Sequence, residues 1–221
     1  MSALPETLEL ETGAGPKAAV IWLHGLGADG HDFEPVVPML GLPSSLAVRF
    51  VFPHAPVRPV TINMGMAMRA WYDVLQLGGG PEDEDGIRSS QLLLEGLVAR
   101  EVARGVDCAK IVLAGFSQGG AIALHTGLRH PQRLAGILAL SCYLPLAPTL
   151  ADERNAANFD TPIFMAHGRL DEMIPIGRAE NSRDKLKAIG YHLEWHAYPM
   201  GHAVCPEEIG AIGQWLTRVL S

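Results

Sequence analysis

Between Ile111 and Leu128 the chain carries no Asp, Glu, Lys or Arg, and inside that stretch stands Gly115-Phe116-Ser117-Gln118-Gly119, a G-x-S-x-G pentapeptide. Ile111–Ala114 ahead of it is a short continuous apolar run, as a parallel strand covered on both faces requires. Gly120 to Leu124 behind it are small and apolar, suited to a closely packed helix. Strand, sharp turn and helix are the setting in which this pattern forms a nucleophile elbow. The chain must reverse within a few residues, so Gly115 and Gly119 relieve crowding around a strained serine. A second uncharged stretch, Leu134–Ala151, is broken by Pro145 and Pro148, as the first is by Ser-Gln-Gly-Gly. Buried strands with their loops fit both better than membrane-spanning helices do.

Further apolar runs at Ala18–Leu23, Val48–Phe52, Leu134–Leu140 and Ile163–Ala166 read as strands. Helical patterns lie at Ser89–Arg104 and Gly177–Ala188, and a last helix starts near Pro206 with Ile209, Ile212, Leu216 and Val219 at helical spacing. The alternation predicts an α/β fold, with a mostly parallel central sheet and helices on both faces. With no internal repeat or Pro/Ser-rich linker, residues 1–221 are expected to form one domain. Arg58–Gly86, rich in Gly, Met and acids, is expected to be an excursion over the edge of the sheet that holds the site. The acidic run Glu82–Asp85 within it reads as a solvated loop.

A net charge of −7 argues against nucleic acid or an anionic membrane as the main partner. Met1–Gly15 carries acids and no apolar core of a secretory signal. Cys108, Cys142 and Cys205 are odd in number and far apart, which suits reduced thiols. A cytoplasmic protein is expected.

Serine needs a base, itself oriented by a third group. In the strand–turn–helix version of this chemistry the chain order is Ser, then acid, then His. Six of the nine histidines lie too early. His192 and His196 fall in Tyr191–Tyr198, an alternating strand, where they share the face expected to be solvated. Their i, i+4 spacing would chelate zinc on a helix but is splayed on a strand, so no metal is expected. His202, in the loop before the last helix, is the base. Asp171 lies just past the end of the Ile163–Ala166 strand, where open α/β sheets place their sites, and is the acid.

A tetrahedral intermediate also needs two N–H donors on its oxygen. Gln118, directly after the nucleophile, supplies one, and Leu26 in His24-Gly25-Leu26-Gly27 supplies the other. Gly25–Gly30 is also literally G-x-G-x-x-G after a strand, ahead of an expected helix. A dinucleotide site, however, needs a ribose-binding acid about twenty residues on, and Val48–Pro53 offers only Arg49 and apolar residues. No cofactor is expected.

Leu23–Phe33 (LHGLGADGHDF), Phe52–Pro56 (FPHAP), Thr61–Asp73 (TINMGMAMRAWYD), Gly115–Ala121 (GFSQGGA), His167–Pro175 (HGRLDEMIP) and Met200–Glu208 (MGHAVCPEE) together resemble the bacterial carboxylesterase and acyl-protein thioesterase family of α/β-hydrolases. The resemblance spans nearly the whole chain. It implies an α/β-hydrolase fold with no large cap domain, hydrolysis of carboxylic esters, thioesters or lysophospholipids, and homodimers, and it matches Leu26 and Gln118 to the family's oxyanion donors. The expected partners are a small or lipid-like acyl ester and possibly an acylated protein, without stable membrane insertion. For the acyl groove, Met64, Met66 and Met68 alternate beside Trp71 and Tyr72, and adaptable methionines suit a tolerant wall. One or two of them are expected at the site, with Leu170 and Ile174 flanking the acid. The rival readings are a non-catalytic member that binds acylated ligands and a dinucleotide-dependent oxidoreductase using Gly25–Gly30.

Overall fold

The computed structural model describes residues 4–76 and 80–221. Met1–Ala3 of the acidic N-terminal stretch and Leu77–Gly79 of the Arg58–Gly86 excursion lie outside the described residues. In chain order the elements are β1 (Thr7–Glu11), β2 (Ala18–Leu23), β3 (Val48–Pro53), β4 (Val57–Val60), β5 (Met66–Arg69), α1 (Glu84–Ala103), β6 (Ile111–Phe116), α2 (Gln118–Arg129), β7 (Gly136–Leu140), α3 (Leu150–Glu153), β8 (Ile163–Gly168), α4 (Ile176–Ala188), β9 (Leu193–Tyr198) and α5 (Pro206–Leu220). The main sheet runs β1-β3-β2-β6-β7-β8-β9, and β4 and β5 form a separate hairpin. All neighbours in the main sheet are parallel except β1, which pairs antiparallel to β3. This is the mostly parallel sheet that the alternation of apolar runs predicts, in the arrangement that the resemblance to α/β-hydrolases implies.

Period-two geometry explains why β2 is apolar at every position. Ala19, Ile21 and Leu23 enter the core shared with α1 and α2. Ala18, Val20 and Trp22 enter the opposite core, closed by α5 and the 3₁₀ segment Glu34–Leu40. The central strands therefore lie between two apolar layers, and only their ends reach solvent.

Three local expectations are corrected, and one strand, β1, adds to those expected. Strand β1 carries Glu9 and Glu11 and gives no continuous apolar signal. Its charges are held by arginines: Glu11 by Arg49 at 2.9 Å, and Glu9 by Arg100 and Arg104 at 2.9 Å each. Helix α1 starts at Glu84, five residues before the expected start, so Glu82–Asp85 is not a solvated loop. Asp83 caps the helix by accepting from Gly86 N–H at 2.9 Å, and it also accepts from Asp73 N–H at 2.7 Å. Glu82 accepts from Leu146 N–H at 2.9 Å. After Gly25–Gly30 the chain forms turns and the short 3₁₀ segment rather than an α-helix, and Pro38 inside that segment withholds a backbone donor. Finally, His196 does not sit on a merely solvated face; its ring stacks on Phe164 at 4.7 Å.

Buried titratable groups set a testable pH dependence. Burial pushes His24 down to about 4 and His125 down to about 3. Below pH 6.5 the unfolded chain takes up protons at these sites that the folded chain refuses, so stability falls on acidification. Glu208, in the first turn of α5, works the other way. Its carboxyl is fully buried with no hydrogen bond of normal geometry among the described residues, and burial pushes it up to about 8. The folded chain keeps a proton that the unfolded chain releases above 4.5, so stability falls as pH rises from 4.5 to about 8. Glu208→Gln is expected to be more stable than the parent at pH 8, by on the order of 4 kcal/mol, and little changed at pH 4. Urea unfolding at the two pH values measures it; an equal gain at both would count against a titrating Glu208.

Candidate active site

Strand β6 ends at Phe116 and α2 begins at Gln118, so the reversal falls on Ser117 alone. Ser117 has φ 55° and ψ −121°, a conformation that L-residues rarely hold. It is locked there by Ser117 N–H donating to Leu140 O at 2.8 Å and Ala121 N–H donating to Ser117 O at 3.0 Å. A Cβ on Gly115 would lie 2.3 Å from the carbonyl of Gly119, so the strand and the helix can meet only without it.

Ser117 Oγ donates to His202 Nε2 at 2.8 Å, and His202 Nδ1–H donates to Asp171 Oδ2 at 2.7 Å. Asp171 stands three residues beyond β8, and its other oxygen accepts from Met173 N–H at 3.0 Å and Ile174 N–H at 2.8 Å. His202 comes from the loop between β9 and α5, with Phe116 against its ring at 4.8 Å. Thus three strand ends bring together side chains that are 31 and 85 residues apart in sequence.

One residue that sequence reasoning misses adjoins the acid. His167 is fully buried, donates from Nε2 to Ile174 O at 2.7 Å, and sits 3.3 Å from Asp171 Oδ2. Burial holds it below its usual range, so it stays neutral beside the carboxylate. Chain order places it too early to be the base and carries no sign of a supporting role.

The glycine loop lies against the elbow. His24 Nε2 accepts from Ala55 N–H at 3.0 Å, which leaves the ring proton on Nδ1, bonded to Gly25 O at 2.7 Å. Gly27 N–H donates to Arg69 O at 2.9 Å, tying the loop to β5. Leu26 N–H bonds no backbone acceptor among the described residues, and Gln118 N–H belongs to the unpaired first turn of α2. Both residues line the same cavity as Ser117 and His202. The Gln118 side chain also clamps the excursion onto the elbow. Its Oε1 accepts from Trp71 N–H and its Nε2 donates to Tyr72 O, each at 2.7 Å.

That cavity has a volume of about 570 Å³ and a mostly apolar wall. Ile174 lines it as expected, but four residues expected around the groove do not. Met64 occupies a left-handed turn at the hairpin tip and is 95% exposed, while Met66 beside it is 62% exposed. Met68, two residues nearer the sheet, does reach the wall. Trp71 lies in the core under the wall, its indole N–H donating to His24 O at 2.9 Å. Leu170 points to solvent at 68% exposure, because its backbone is bound outward to Met200 O, and Met173 takes its place. Ile62, Val74, Tyr143 and Arg178 also line the cavity, and no sequence motif marks the last three.

A parallel sheet bearing a serine elbow, an acid loop and a histidine loop at its strand ends defines an α/β-hydrolase. The chain belongs to the phospholipase/carboxylesterase family, whose model it matches over residues 8–220. It is 42% identical over 213 residues to acyl-protein thioesterase 1 of Neurospora crassa, covering 92% of this chain and 87% of that protein. Its identity to acyl-protein thioesterase 1 of Gibberella zeae is 41%, over 92% of this chain and 91% of that protein. The crystal structure of Arabidopsis thaliana SOBER1 superposes with a TM-score of 0.87 at 32% identity, covering 92% of this chain and 99% of that one. These relatives are fungal and plant, so the expected bacterial subgroup gives way to the family as a whole. The chain is a serine hydrolase acting on esters and thioesters.

Proposed function

We propose that Ser117, His202 and Asp171 carry the reaction, with Leu26 and Gln118 N–H groups holding the oxyanion. The observation that supports this most directly is the unbroken pair of hydrogen bonds, 2.8 and 2.7 Å, from Ser117 through His202 to Asp171 at the wall of an apolar cavity. Ser117 Oγ attacks the acyl carbon and passes its proton to His202 Nε2. Collapse of the tetrahedral intermediate expels the alcohol or thiol, which takes that proton, and water then hydrolyses the acyl-enzyme by the same route. Asp171 fixes the tautomer and offsets the charge of the imidazolium.

The substrate class we infer is an acyl chain held as a thioester on a protein or as an ester on a small or lipid-like alcohol. The names of the fungal relatives support the first, and a cavity in the usual size range for small ligands supports either. Three free cysteines are in keeping with a cytoplasmic setting. A fluorophosphonate probe, p-nitrophenyl esters from acetate to palmitate and an S-acylated peptide test the proposal together. Labelling and turnover should both be absent in Ser117→Ala, and the chain-length profile should fall off once the acyl group outgrows the cavity. Well-folded parent protein that takes no label would overturn the assignment.

A further inference from the structure

The apolar cavity ends in a cluster of side chains with more hydrogen-bond donors than acceptors. Tyr72 and Tyr143 both line it, and their hydroxyls bond to each other at 3.0 Å. Two hydroxyls own two protons, and their mutual bond uses one. The second has no acceptor among the described residues. Burial raises the pKa of both phenols, so neither becomes a phenolate acceptor at neutral pH. Over the Tyr143 ring, 3.3 Å from its centre, lies the guanidinium carbon of Arg178, from the first turn of α4. Among the described residues no salt bridge joins Arg178 to a carboxylate: Glu82, which lines the adjoining pocket with it, accepts from Leu146 N–H instead, and Arg178 also faces the cavity. The half-buried guanidinium, stacked on the ring, spends one N–H on the Tyr143 hydroxyl, and the rest of its five N–H donors can form strong bonds with a carboxylate.

We propose that Arg178, Tyr143 and Tyr72 form an anion-recognising subsite, so that the enzyme favours substrates bearing a carboxylate remote from the reacting carbonyl. An acyl chain or leaving group ending in methyl fills the apolar part of the cavity and leaves the donors unmatched. One ending in carboxylate accepts from Arg178 and from the free phenolic proton. The inference rests on the proposed function, since it takes the Ser117 cavity as the place where substrate lies.

The test compares matched esters. Mono-p-nitrophenyl glutarate against p-nitrophenyl pentanoate puts the carboxylate on the acyl side, and 4-acetoxybenzoate against phenyl acetate puts it on the leaving group. The readout is the ratio of kcat/KM for the anionic ester to that for the neutral one. In at least one pair, Arg178→Met should lower this ratio roughly ten- to a hundredfold, the usual weight of a hydrogen bond to a charged group. Arg178→Lys should fall between the two. Tyr143→Phe keeps the ring under Arg178 but removes a hydroxyl, and should lower the same ratio even if Arg178→Met folds poorly. Whichever pair responds tells which side of the ester faces the subsite. Ratios unchanged in both pairs by Arg178→Met and Tyr143→Phe, with hydrolysis still dependent on Ser117, would overturn the subsite. Hydrolysis that persisted in Ser117→Ala would overturn the functional reading beneath it.

Discussion

Ser117→Ala is expected to lower kcat on p-nitrophenyl butyrate by roughly 10⁴- to 10⁶-fold, and His202→Ala by a similar factor. The double variant should be scarcely worse than either single one. The reason is geometric: Ser117 Oγ and His202 Nε2 are 2.8 Å apart, and the proposed reaction uses them as one unit. Without the imidazole the hydroxyl has no acceptor for its proton, and without the hydroxyl the imidazole has nothing to activate. Asp171→Asn should cost about 10⁴-fold, because an amide facing His202 Nδ1 favours the wrong tautomer. The remaining rate should stay above that in water, since these variants leave in place the Leu26 and Gln118 N–H groups proposed to hold the oxyanion. Stopped-flow or long-time hydrolysis assays on variants of matched circular dichroism supply the numbers. Strictly multiplicative losses would show that Ser117 and His202 do not act together.

The residues of that unit were legible because local pattern and topology filter the same candidates. G-x-S-x-G after an apolar run selects Ser117, and parallel strands place loops at their C-terminal ends, which selects Asp171 and the His202 loop. What pattern alone misses depends on where a hairpin ends or on what a ring meets in space. Met66 and Met68 share one face of β5, yet only Met68 reaches the cavity, since the hairpin tip carries Met64 and Met66 past its rim. Trp71 looks like a groove residue from its neighbours in sequence, but its two N–H groups are spent on Gln118 and His24. His167 needs the fold to bring Asp171 Oδ2 to 3.3 Å. Strand β1 gives no apolar run because its acids face arginines 38 to 95 residues away.

The second large effect concerns a residue with no chemistry of its own. A Cβ on Gly119 would lie 2.4 Å from Leu23 O and 2.5 Å from His24 O. Both are backbone atoms, at the end of β2 and the start of the glycine loop, so no side chain can swing aside. Helix propensity alone favours alanine over glycine by about 1 kcal/mol, and at Gly119 the clash must outweigh that. Gly119→Ala is expected to cost roughly 4 kcal/mol or more, or to prevent folding, because either α2 or the end of β2 has to move. The loop carrying Leu26 moves with that strand end, so any protein that does fold should lose kcat more than KM. Gly210→Ala in α5 is the control, since a Cβ there meets nothing within 4 Å. It should raise stability by about 0.5–1 kcal/mol. Denaturant unfolding of both variants separates the cases: if Gly119→Ala gains stability as Gly210→Ala does, the elbow is not built on backbone contact between α2 and β2.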